Sequence, residues 1–367
     1  MLKTNEKINN LKKNFLLLLT TVIIFLIFFE ILLRLFTYPI YGFQEEVFEY
    51  DEITGYKLSK NYSGKQSIYG NFFDLQTNSK GLRDFREYDY KKSEEVYRIL
   101  ILGDSFSFGN GVNLEESYPE YLRENFKDEN IEIINLGIPG YGINNEYLLF
   151  LEEGKKYEPD LILIQFYLND WGTHQLTEEK GKIIVDKKNS LVADDKGFLV
   201  SSGKLSFIKK IHLFSLKNSR TYSFVYSKSR NTLTPLIDNY RKKSSPFIFY
   251  SKDSPEYKEK YEGYYSILRM LDEKTDSKIV LFVGPFQSDF ISPEKIKEEY
   301  NLEDIPNLRQ SQESVNEIAN SLNLSMINIT SEEKDIFIEI DGHWNSKGNK
   351  LVADKLYEEL KPLLKNS

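Results

Sequence analysis

Cysteine is absent from this sequence of 367 residues, and histidine occurs only 3 times. The lack of thiols excludes a cysteine nucleophile, an iron–sulfur cluster and a thiolate metal site. Basic residues do not predominate either, because 48 Lys and Arg stand against 56 Asp and Glu, for a formal net charge of -8. Nucleic-acid binding needs a basic face and is therefore disfavoured. A catalytic base has to be sought among His174, His212 and His343.

Phosphate-binding loops are missing as well, because no G-x-x-x-x-G-K-[ST] or G-x-G-x-x-G follows an apolar strand. We therefore expect neither a nucleotide nor any other cofactor. With few histidines and no thiols, we also expect no metal in the site.

One long apolar run is present, at residues 15–36, and it holds the pair Glu30 and Arg34 near its end. At about 1.5 Å per residue it measures roughly 33 Å, enough to cross a bilayer core of about 30 Å. A cleaved signal peptide would be shorter and followed by small residues, whereas bulky side chains follow here. The pattern predicts an uncleaved, single-pass transmembrane signal anchor.

The charges on the two sides of this run predict its orientation. The lysines before it are Lys3, Lys7, Lys12 and Lys13, and the acids after it are Glu45, Glu46, Glu49, Asp51 and Glu52. This bias keeps residues 1–14 in the cytoplasm. The rest of the chain is then expected on the extracytoplasmic side of the cytoplasmic (inner) membrane.

Beyond the anchor, residues 37–95 form a membrane-proximal lead-in with short apolar runs, which predicts irregular or short β structure. From residue 96 to 367, apolar strands alternate with helical patterns, which is typical of an α/β domain with a parallel sheet covered on both faces. The stretch of about 172–274 breaks this rhythm. We interpret it as an insertion of strands and helices that could cap a site.

Short motifs fall where predicted strands end, and ligands bind beyond the carboxyl ends of such strands. Three motifs follow predicted strands, namely Gly103-Asp104-Ser105, Gly137-Ile138-Pro139-Gly140 and Asn169-Asp170. A fourth, Asp341-Gly342-His343-Trp344-Asn345, lies immediately before the predicted last helix. Each motif alone is common. Their joint order is much less expected by chance.

With these motifs the sequence resembles the SGNH/GDSL hydrolase family over roughly residues 98–169 and 279–364. The stretch TNSKGLRD at 77–84 also resembles the lead-in of membrane-anchored bacterial members. The resemblance implies a flavodoxin-like three-layer α/β/α sandwich, here preceded by one transmembrane helix. It also implies an esterase or acyl-transfer activity that acts on an O-acyl group of a cell-envelope carbohydrate or lipid.

The same resemblance assigns roles to five residues. Ser105 matches the nucleophile, His343 the general base and Asp341 the acid that orients it. Gly140 and Asn169 match donors of the oxyanion hole, together with the N–H of Ser105. The sequence departs from the family pattern in two places, because only Gly342 separates Asp341 from His343 where two residues are usual, and Tyr167 replaces a common glycine.

The residue types support this chemistry without the family. A serine hydroxyl is a poor nucleophile until a base takes its proton, and His343 is the histidine placed beside a carboxylate at a predicted sheet edge. In an extended segment, residues two apart project to one side, so Asp341 and His343 could both face the cleft. Glycine suits position 140 because a side chain would block close approach of the backbone to a ligand.

The candidate site residues could also have structural roles in place of catalytic ones. Ser105 could cap a turn, His343 could be a solvated helix-start residue, and Glu339 could replace Asp341. Asp104 and Asp170 are expected to bind loop amides rather than substrate. His174 and His212 are expected to be a loop residue and a structural residue, respectively.

Three functions of the protein are considered. The leading hypothesis is a membrane-anchored serine esterase, and the runner-up is an O-acyltransferase for an exported polysaccharide. A third is a glycan-binding or assembly module without catalysis, favoured if His343 cannot reach Ser105. The basic and aromatic stretch 214–230 could contact lipid headgroups or an anionic glycan.

Overall fold

The protein is represented by a computed structural model. It describes residues 2–36, 46–68, 71–172, 176–179, 182–185, 191–193, 199–201, 211, 214–215, 218–222, 224–225, 251–300, 304–338 and 341–364. The helices are α1 (Leu2–Phe36), α2 (Ser105–Phe108), α3 (Tyr118–Asn125), α4 (Ile143–Glu152), α5 (Pro255–Asp272), α6 (Pro293–Tyr300), α7 (Gln310–Ser321) and α8 (Ser346–Leu364). The strands are β1 (Phe48–Asp51), β2 (Gly55–Leu58), β3 (Ser63–Ile68), β4 (Asn71–Gln76), β5 (Tyr97–Leu102), β6 (Ile131–Asn135), β7 (Leu161–Phe166), β8 (Leu176–Glu179), β9 (Lys182–Val185), β10 (Leu191–Ala193), β11 (Leu199–Ser201), β12 (Lys278–Val283) and β13 (Ser325–Asn328).

A parallel sheet of five strands forms the centre of the α/β domain, in the spatial order β6-β5-β7-β12-β13. In chain order this is 2-1-3-4-5, the flavodoxin-like arrangement. The order reverses between β5 and β7, so the crevice for a ligand opens beyond the carboxyl ends of these two strands. The predicted fold is confirmed.

The sheet is buried on both faces because successive side chains of each strand point to opposite sides. In β5, Leu100 and Leu102 face the layer of α4, α5 and α7. Ile99 and Ile101 face the layer of α3 and α8. The apolar face predicted for the last helix, at Val352, Leu356, Leu360 and Leu363, lies in this second layer, with Leu363 only partly buried.

Two details differ from the predicted elements. The sequence pattern predicts a helix over 144–156, but α4 ends at Glu152 and is followed by a 3-10 turn at Gly154–Tyr157. Glycine has low helix propensity, and a Cβ at Gly154 would lie 2.9 Å from the Phe150 ring. The predicted insertion extended to about residue 274. However, α5 buries Tyr264 and Leu268 in the core layer beside α4, so this helix belongs to the sandwich.

The lead-in forms two antiparallel hairpins, β1-β2 and β3-β4. Its buried side chains pack against the loops that follow β5 and β6, where Phe108, Ile138 and Tyr141 join them in one cluster. The short strand β10 packs there as well, through Ala193. The lead-in therefore packs directly against the loops at the carboxyl ends of β5 and β6.

Helix α1 contains one stretch, Leu11–Leu35, that is long and apolar enough to cross a membrane. Its side chains are largely exposed, as in Phe15 and Leu35. Such a helix is compatible with a single-pass anchor or with a signal sequence.

Candidate active site

Ser105 begins the short helix α2 directly after β5, on a tight turn. Asp104 is the N-cap residue, and its carboxylate accepts a hydrogen bond from the N–H of Phe106 at 2.9 Å. A Cβ at Gly103 would lie 2.2 Å from the hydroxyl oxygen of Ser107, so the turn needs glycine. The first N–H groups of a helix have no acceptor within it, so the Ser105 N–H is not used by the hydrogen bonds of α2.

His343 lies against Ser105. Its Nε2 atom is 2.7 Å from the Ser105 Oγ atom, and its Nδ1 atom contacts the carboxylate of Asp341. The side chains of His343 and Asp341 are 18% and 7% exposed. The three residues thus form a continuous hydrogen-bonded chain from a buried acid to a half-buried hydroxyl.

Asp341 and His343 meet through a turn, so the extended segment expected from the sequence is wrong here. Gly342 has a φ of +83°. The N–H groups of Asp341 and Gly342 both donate to the carbonyl of Ile338, at 3.2 and 3.0 Å. The left-handed glycine reverses the chain and brings the two side chains to the same side.

Aromatic rings hold the imidazole. The centroid of the Phe106 ring lies 4.7 Å from that of His343 and 4.2 Å from that of Tyr167. Trp344 packs on Phe106 and donates its indole N–H to the Pro285 carbonyl at 3.0 Å. Tyr167, which replaces the family's usual glycine, therefore fills part of the wall beside the histidine.

The loop of residues 137–142 is called the oxyanion loop here, after the role that the family resemblance implies for Gly140, and it carries Gly140 at a φ of +81°. Gly140 is exposed, and a Cβ there would lie 2.9 Å from the hydroxyl of Tyr56 and 3.3 Å from Cδ1 of Leu191. Glycine is thus required both by the backbone conformation and by the space.

Asn169 follows β7 in a 3-10 turn at Leu168–Gly172. Its side-chain amide donates to the carbonyl of Tyr141, in the oxyanion loop, at 2.9 Å. It also interacts with the carboxylate of Asp104. The structure therefore places the Asn169 amide between the oxyanion loop and the start of the Ser105 helix.

Three buried carboxyl groups lie beneath these loops. Burial raises the pKa of Asp104 to about 6. Burial also raises the pKa of Glu146 and of Asp170 well above the usual range, and the nearby acids add to the effect. Asp170 accepts from the N–H of Tyr167 at 2.8 Å. The expectation that Asp104 and Asp170 bind loop amides is confirmed.

The lead-in contributes contacts that sequence reasoning did not assign. Arg83 is 2% exposed, and its guanidinium donates to the carbonyls of Phe108 and Gly109 at 2.6 Å and of Val112 at 2.7 Å. These carbonyls end the Ser105 helix and the turn after it. The only signal in the sequence was the TNSKGLRD motif, which contains Arg83.

The oxyanion loop is held in the same way. Tyr56 donates its hydroxyl hydrogen to the carbonyl of Pro139 at 2.9 Å. Tyr141 donates in turn to the Tyr56 carbonyl, and Asn145 donates to the Thr54 carbonyl at 2.9 Å. Three hydrogen bonds thus join the first hairpin of the lead-in to the region around the loop.

Three residues weighed in the sequence, His174, His212 and Glu339, lie outside the residues that the structure describes. Among the described ranges, no group of three or more His, Asp or Glu side chains is arranged to hold a metal ion.

Comparison with known proteins gives one family. The model of the GDSL-like lipase/acylhydrolase family matches residues 101–359. No curated protein matches the chain by sequence.

Several solved structures match the fold. One is the psychrotrophic esterase EstA from Pseudoalteromonas sp., which is 16% identical, with 73% of this chain and 98% of that chain covered and a TM-score of 0.37. Another is the lipase/acylhydrolase from Enterococcus faecalis, which is 14% identical, with 73% of this chain and 96% of that chain covered and a TM-score of 0.38. A third is a mutant of Axe2, an acetyl-xylooligosaccharide esterase from Geobacillus Stearmophilus. It is 13% identical, with 73% of this chain and 96% of that chain covered and a TM-score of 0.40.

Proposed function

Because the chain belongs to the GDSL-like lipase/acylhydrolase family and is a serine hydrolase of ester bonds, we propose that Ser105, His343 and Asp341 are its catalytic triad. We propose further that it is a membrane-anchored esterase, which removes an O-acyl group from a carbohydrate or lipid of the cell envelope. The observation that carries the proposal is the hydrogen-bonded chain with its 2.7 Å distance from Nε2 of His343 to Oγ of Ser105.

Acyl transfer to the enzyme is the first half of the proposed reaction. Nε2 of His343 takes the proton of Ser105 as Oγ attacks the ester carbonyl carbon. The tetrahedral intermediate collapses when His343 gives this proton to the leaving alkoxide, which departs as the alcohol. Asp341, bound to Nδ1, stabilises the imidazolium and holds the ring in the required orientation.

Water completes the cycle. His343 takes a proton from a water molecule that attacks the acyl carbon, and then returns the proton to Oγ of Ser105. The acid leaves and the free serine is restored. No other proton carrier is needed, because Nε2 lies within hydrogen-bonding distance of the serine oxygen in the resting state.

We assign the oxyanion donors to the N–H groups of Ser105 and Gly140 and to the side-chain amide of Asn169. Asn169 is bonded to Tyr141 of the oxyanion loop, so the two parts move together. Removal of one such donor typically costs about 10²–10³ in kcat.

Membrane anchoring is part of the proposal. Residues 15–36, which overlap the apolar stretch Leu11–Leu35, would be the anchor, with residues 1–14 in the cytoplasm and the catalytic domain on the other side of the inner membrane. Support comes from its length, its exposure and the lysines before it. An envelope substrate then follows from the location of the domain.

Labelling of the full-length chain in detergent with a fluorophosphonate tests the nucleophile. We expect covalent labelling of Ser105, release of p-nitrophenol from p-nitrophenyl acetate, and loss of both in Ser105→Ala. The matched control is Ser288→Ala, a partly buried serine in the 3-10 turn Gln287–Phe290, which should keep both. Full activity in Ser105→Ala would remove Ser105 from the mechanism.

Product analysis separates the hydrolase from an O-acyltransferase. With p-nitrophenyl acetate and an oligosaccharide acceptor, the proposed esterase releases acetate at the same rate whether or not the acceptor is present. Accumulation of acetylated sugar at the expense of acetate would instead identify a transferase with the same acyl-serine intermediate. Absence of labelling and turnover in folded protein would favour a glycan-binding or assembly module.

A further inference from the structure

Glu30, near the end of α1, is bonded to a segment about 190 residues further along the chain. Its carboxylate accepts from the backbone N–H groups of Arg220 at 2.9 Å and Thr221 at 2.8 Å, and from the hydroxyl of Ser219 at 3.0 Å. Residues 220–222 are helical, so Glu30 satisfies N–H groups at the start of a helical turn. A carboxylate in an apolar helix is costly unless it is bonded in this way.

The contact extends beyond one side chain. Arg34 pairs with Glu30 at 2.8 Å and also donates to the carbonyl of Asn218. Phe29, directly before Glu30 in α1, meets Phe224 edge to face, with ring centroids 6.1 Å apart. Hydrogen bonds, an ion pair and an aromatic contact thus fix this segment to one face of α1.

The position of Glu30 along α1 indicates the depth of the contact. The apolar stretch Leu11–Leu35 has 25 residues, or about 37 Å, against a hydrocarbon core of about 30 Å. Glu30 lies five residues before Leu35, or about 7.5 Å. With residues 1–14 in the cytoplasm, the hydrocarbon begins at Phe15 and ends about 30 Å later, near Leu35. Glu30 and its partners therefore lie about 7.5 Å below the outer boundary, a depth that interfacial segments reach.

Among the described residues of the same segment, several large apolar side chains are exposed. Ile211, Phe214 and Val225 are 51%, 68% and 54% exposed, and Tyr222 is 38% exposed. We call the described residues 211, 214–215, 218–222 and 224–225 the docking segment. Exposed apolar side chains grouped at the end of an apolar helix are typical of a surface that enters the interface of a bilayer.

The charge around the docking segment fits a lipid surface. Residues 204–230 contain seven Lys and Arg and no Asp or Glu, in a chain whose net charge is -8. Basic and aromatic residues in alternation favour the headgroup layer, where the rings reach the hydrocarbon and the cations meet anionic lipids. A second copy of this acidic chain would be a poorer match.

We infer that the docking segment lies in the outer interface of the bilayer beside α1, and that its partner is a lipid surface with anionic headgroups. The inference rests on the membrane anchor of the proposed function. The segment falls between the turn of Asn169 and helix α5, both of which belong to the α/β domain. The chain therefore meets the membrane at α1 and again at the docking segment, which favours acyl esters presented at the membrane surface as substrates.

The absence of cysteine allows a direct test with single spin labels on the full-length chain. The labelled variants are Phe214→Cys and Val225→Cys in the docking segment, Phe25→Cys within α1, and Lys355→Cys on the exposed face of α8. The chain is placed in vesicles of phosphatidylethanolamine and phosphatidylglycerol. Power saturation then compares collisions with oxygen, which concentrates in lipid, and with a water-soluble nickel chelate.

We expect labels at positions 25, 214 and 225 to favour oxygen and the label at position 355 to favour nickel. If the labels at 214 and 225 behave like that at 355 while the label at 25 favours oxygen, the anchor stands and the inference is wrong. If the label at 25 also favours nickel, the anchor itself fails. Oxygen preference that disappears when protein is diluted with lipid would indicate a second copy instead, and would also overturn the inference.

Glu30→Ala supplies an independent test. It removes the acceptor for the N–H groups of Arg220 and Thr221, so the labels at 214 and 225 should shift toward nickel while the label at 25 does not. Hydrolysis of water-soluble p-nitrophenyl acetate should be unchanged, since Glu30 lies outside the proposed catalytic machinery. Labels at 214 and 225 that stay unchanged in this variant would show that α1 does not hold the segment.

Discussion

The carboxylate of Asp341 contacts Nδ1 of His343 although a single residue, Gly342, separates them. The contact depends on the left-handed backbone of Gly342, whose φ is +83°. A Cβ at this position would be strained and would lie 3.1 Å from Oε1 of Gln287. The turn thus compensates for the residue that is missing relative to the usual family spacing, and it leaves Nε2 of His343 facing Ser105.

Asp341→Asn tests the orienting role of this carboxylate. Asparagine keeps the shape but cannot stabilise the imidazolium, so we expect kcat to fall by about 10²–10⁴ with little change in KM. The control is Asp335→Asn, an exposed acid that pairs with Lys347 and should leave kcat unchanged. Steady-state kinetics with p-nitrophenyl acetate measures both. Equal kcat in Asp341→Asn and in the unaltered chain would argue for another acid.

Asn169→Ala tests the oxyanion assignment. Loss of the amide removes one donor and also its bond to the carbonyl of Tyr141, so we expect kcat to fall about 10²–10³-fold. A donor that acts in the transition state lowers kcat and kcat/KM together. Ser105 should still react with a fluorophosphonate, but more slowly. A rise in KM at constant kcat would contradict the assignment.

Arg83 is expected to position the nucleophile from the lead-in. Arg83→Met leaves the carbonyls of Phe108, Gly109 and Val112 without this buried donor, and the Ser105 helix should shift. We expect kcat to fall about 10²-fold, because small displacements of reacting groups are costly. Arg83→Lys should rescue only part of the loss, since lysine cannot reproduce the planar fork.

The control for this prediction is Arg86→Met, which breaks a half-exposed ion pair with Asp84 and Glu120. It should lower the unfolding temperature without a specific loss of kcat. Thermal unfolding followed by circular dichroism, beside kcat and KM, separates the two roles. If kcat in both Arg variants simply follows the unfolding temperature, Arg83 has a structural role alone.

The raised pKa of Asp104 predicts that the stability of the fold depends on pH. Its pKa is raised from 3.8 to about 6 by burial, so between these values the folded chain binds a proton that the unfolded chain has lost. The contribution of Asp104 to the free energy of unfolding therefore falls as pH rises through this window. The full difference is about 3 kcal/mol.

Asp104→Asn removes this titration and keeps an oxygen that can accept from the N–H of Phe106. Relative to the unaltered chain, the variant should gain up to about 3 kcal/mol of stability between pH 4 and pH 7. Urea unfolding followed by the fluorescence of the buried Trp171 and Trp344 gives both free energies. A stability difference that is the same at the two pH values would refute the prediction.

Much of the fold could be predicted from local patterns. The apolar runs of β5 and β7 are buried on both faces, and such runs identify parallel strands whatever their neighbours. Gly103-Asp104-Ser105 stands at a strand end and Asp341-Gly342-His343 before a helix, where loops line the ligand crevice. These signals were sufficient to select Ser105 and His343 and to predict the layers of the sandwich.

The sequence by itself therefore determined the α/β class, the apolar N-terminal stretch and the residue types of the candidate site. Only the tertiary structure decided that Ser105 and His343, 238 residues apart, come within hydrogen-bonding distance, because this depends on the order of strands in the sheet. It also decided the bonds of Arg83 to the Ser105 helix and of Glu30 to the docking segment. Each joins polar groups that are distant in the chain, and no local propensity encodes the position of such partners.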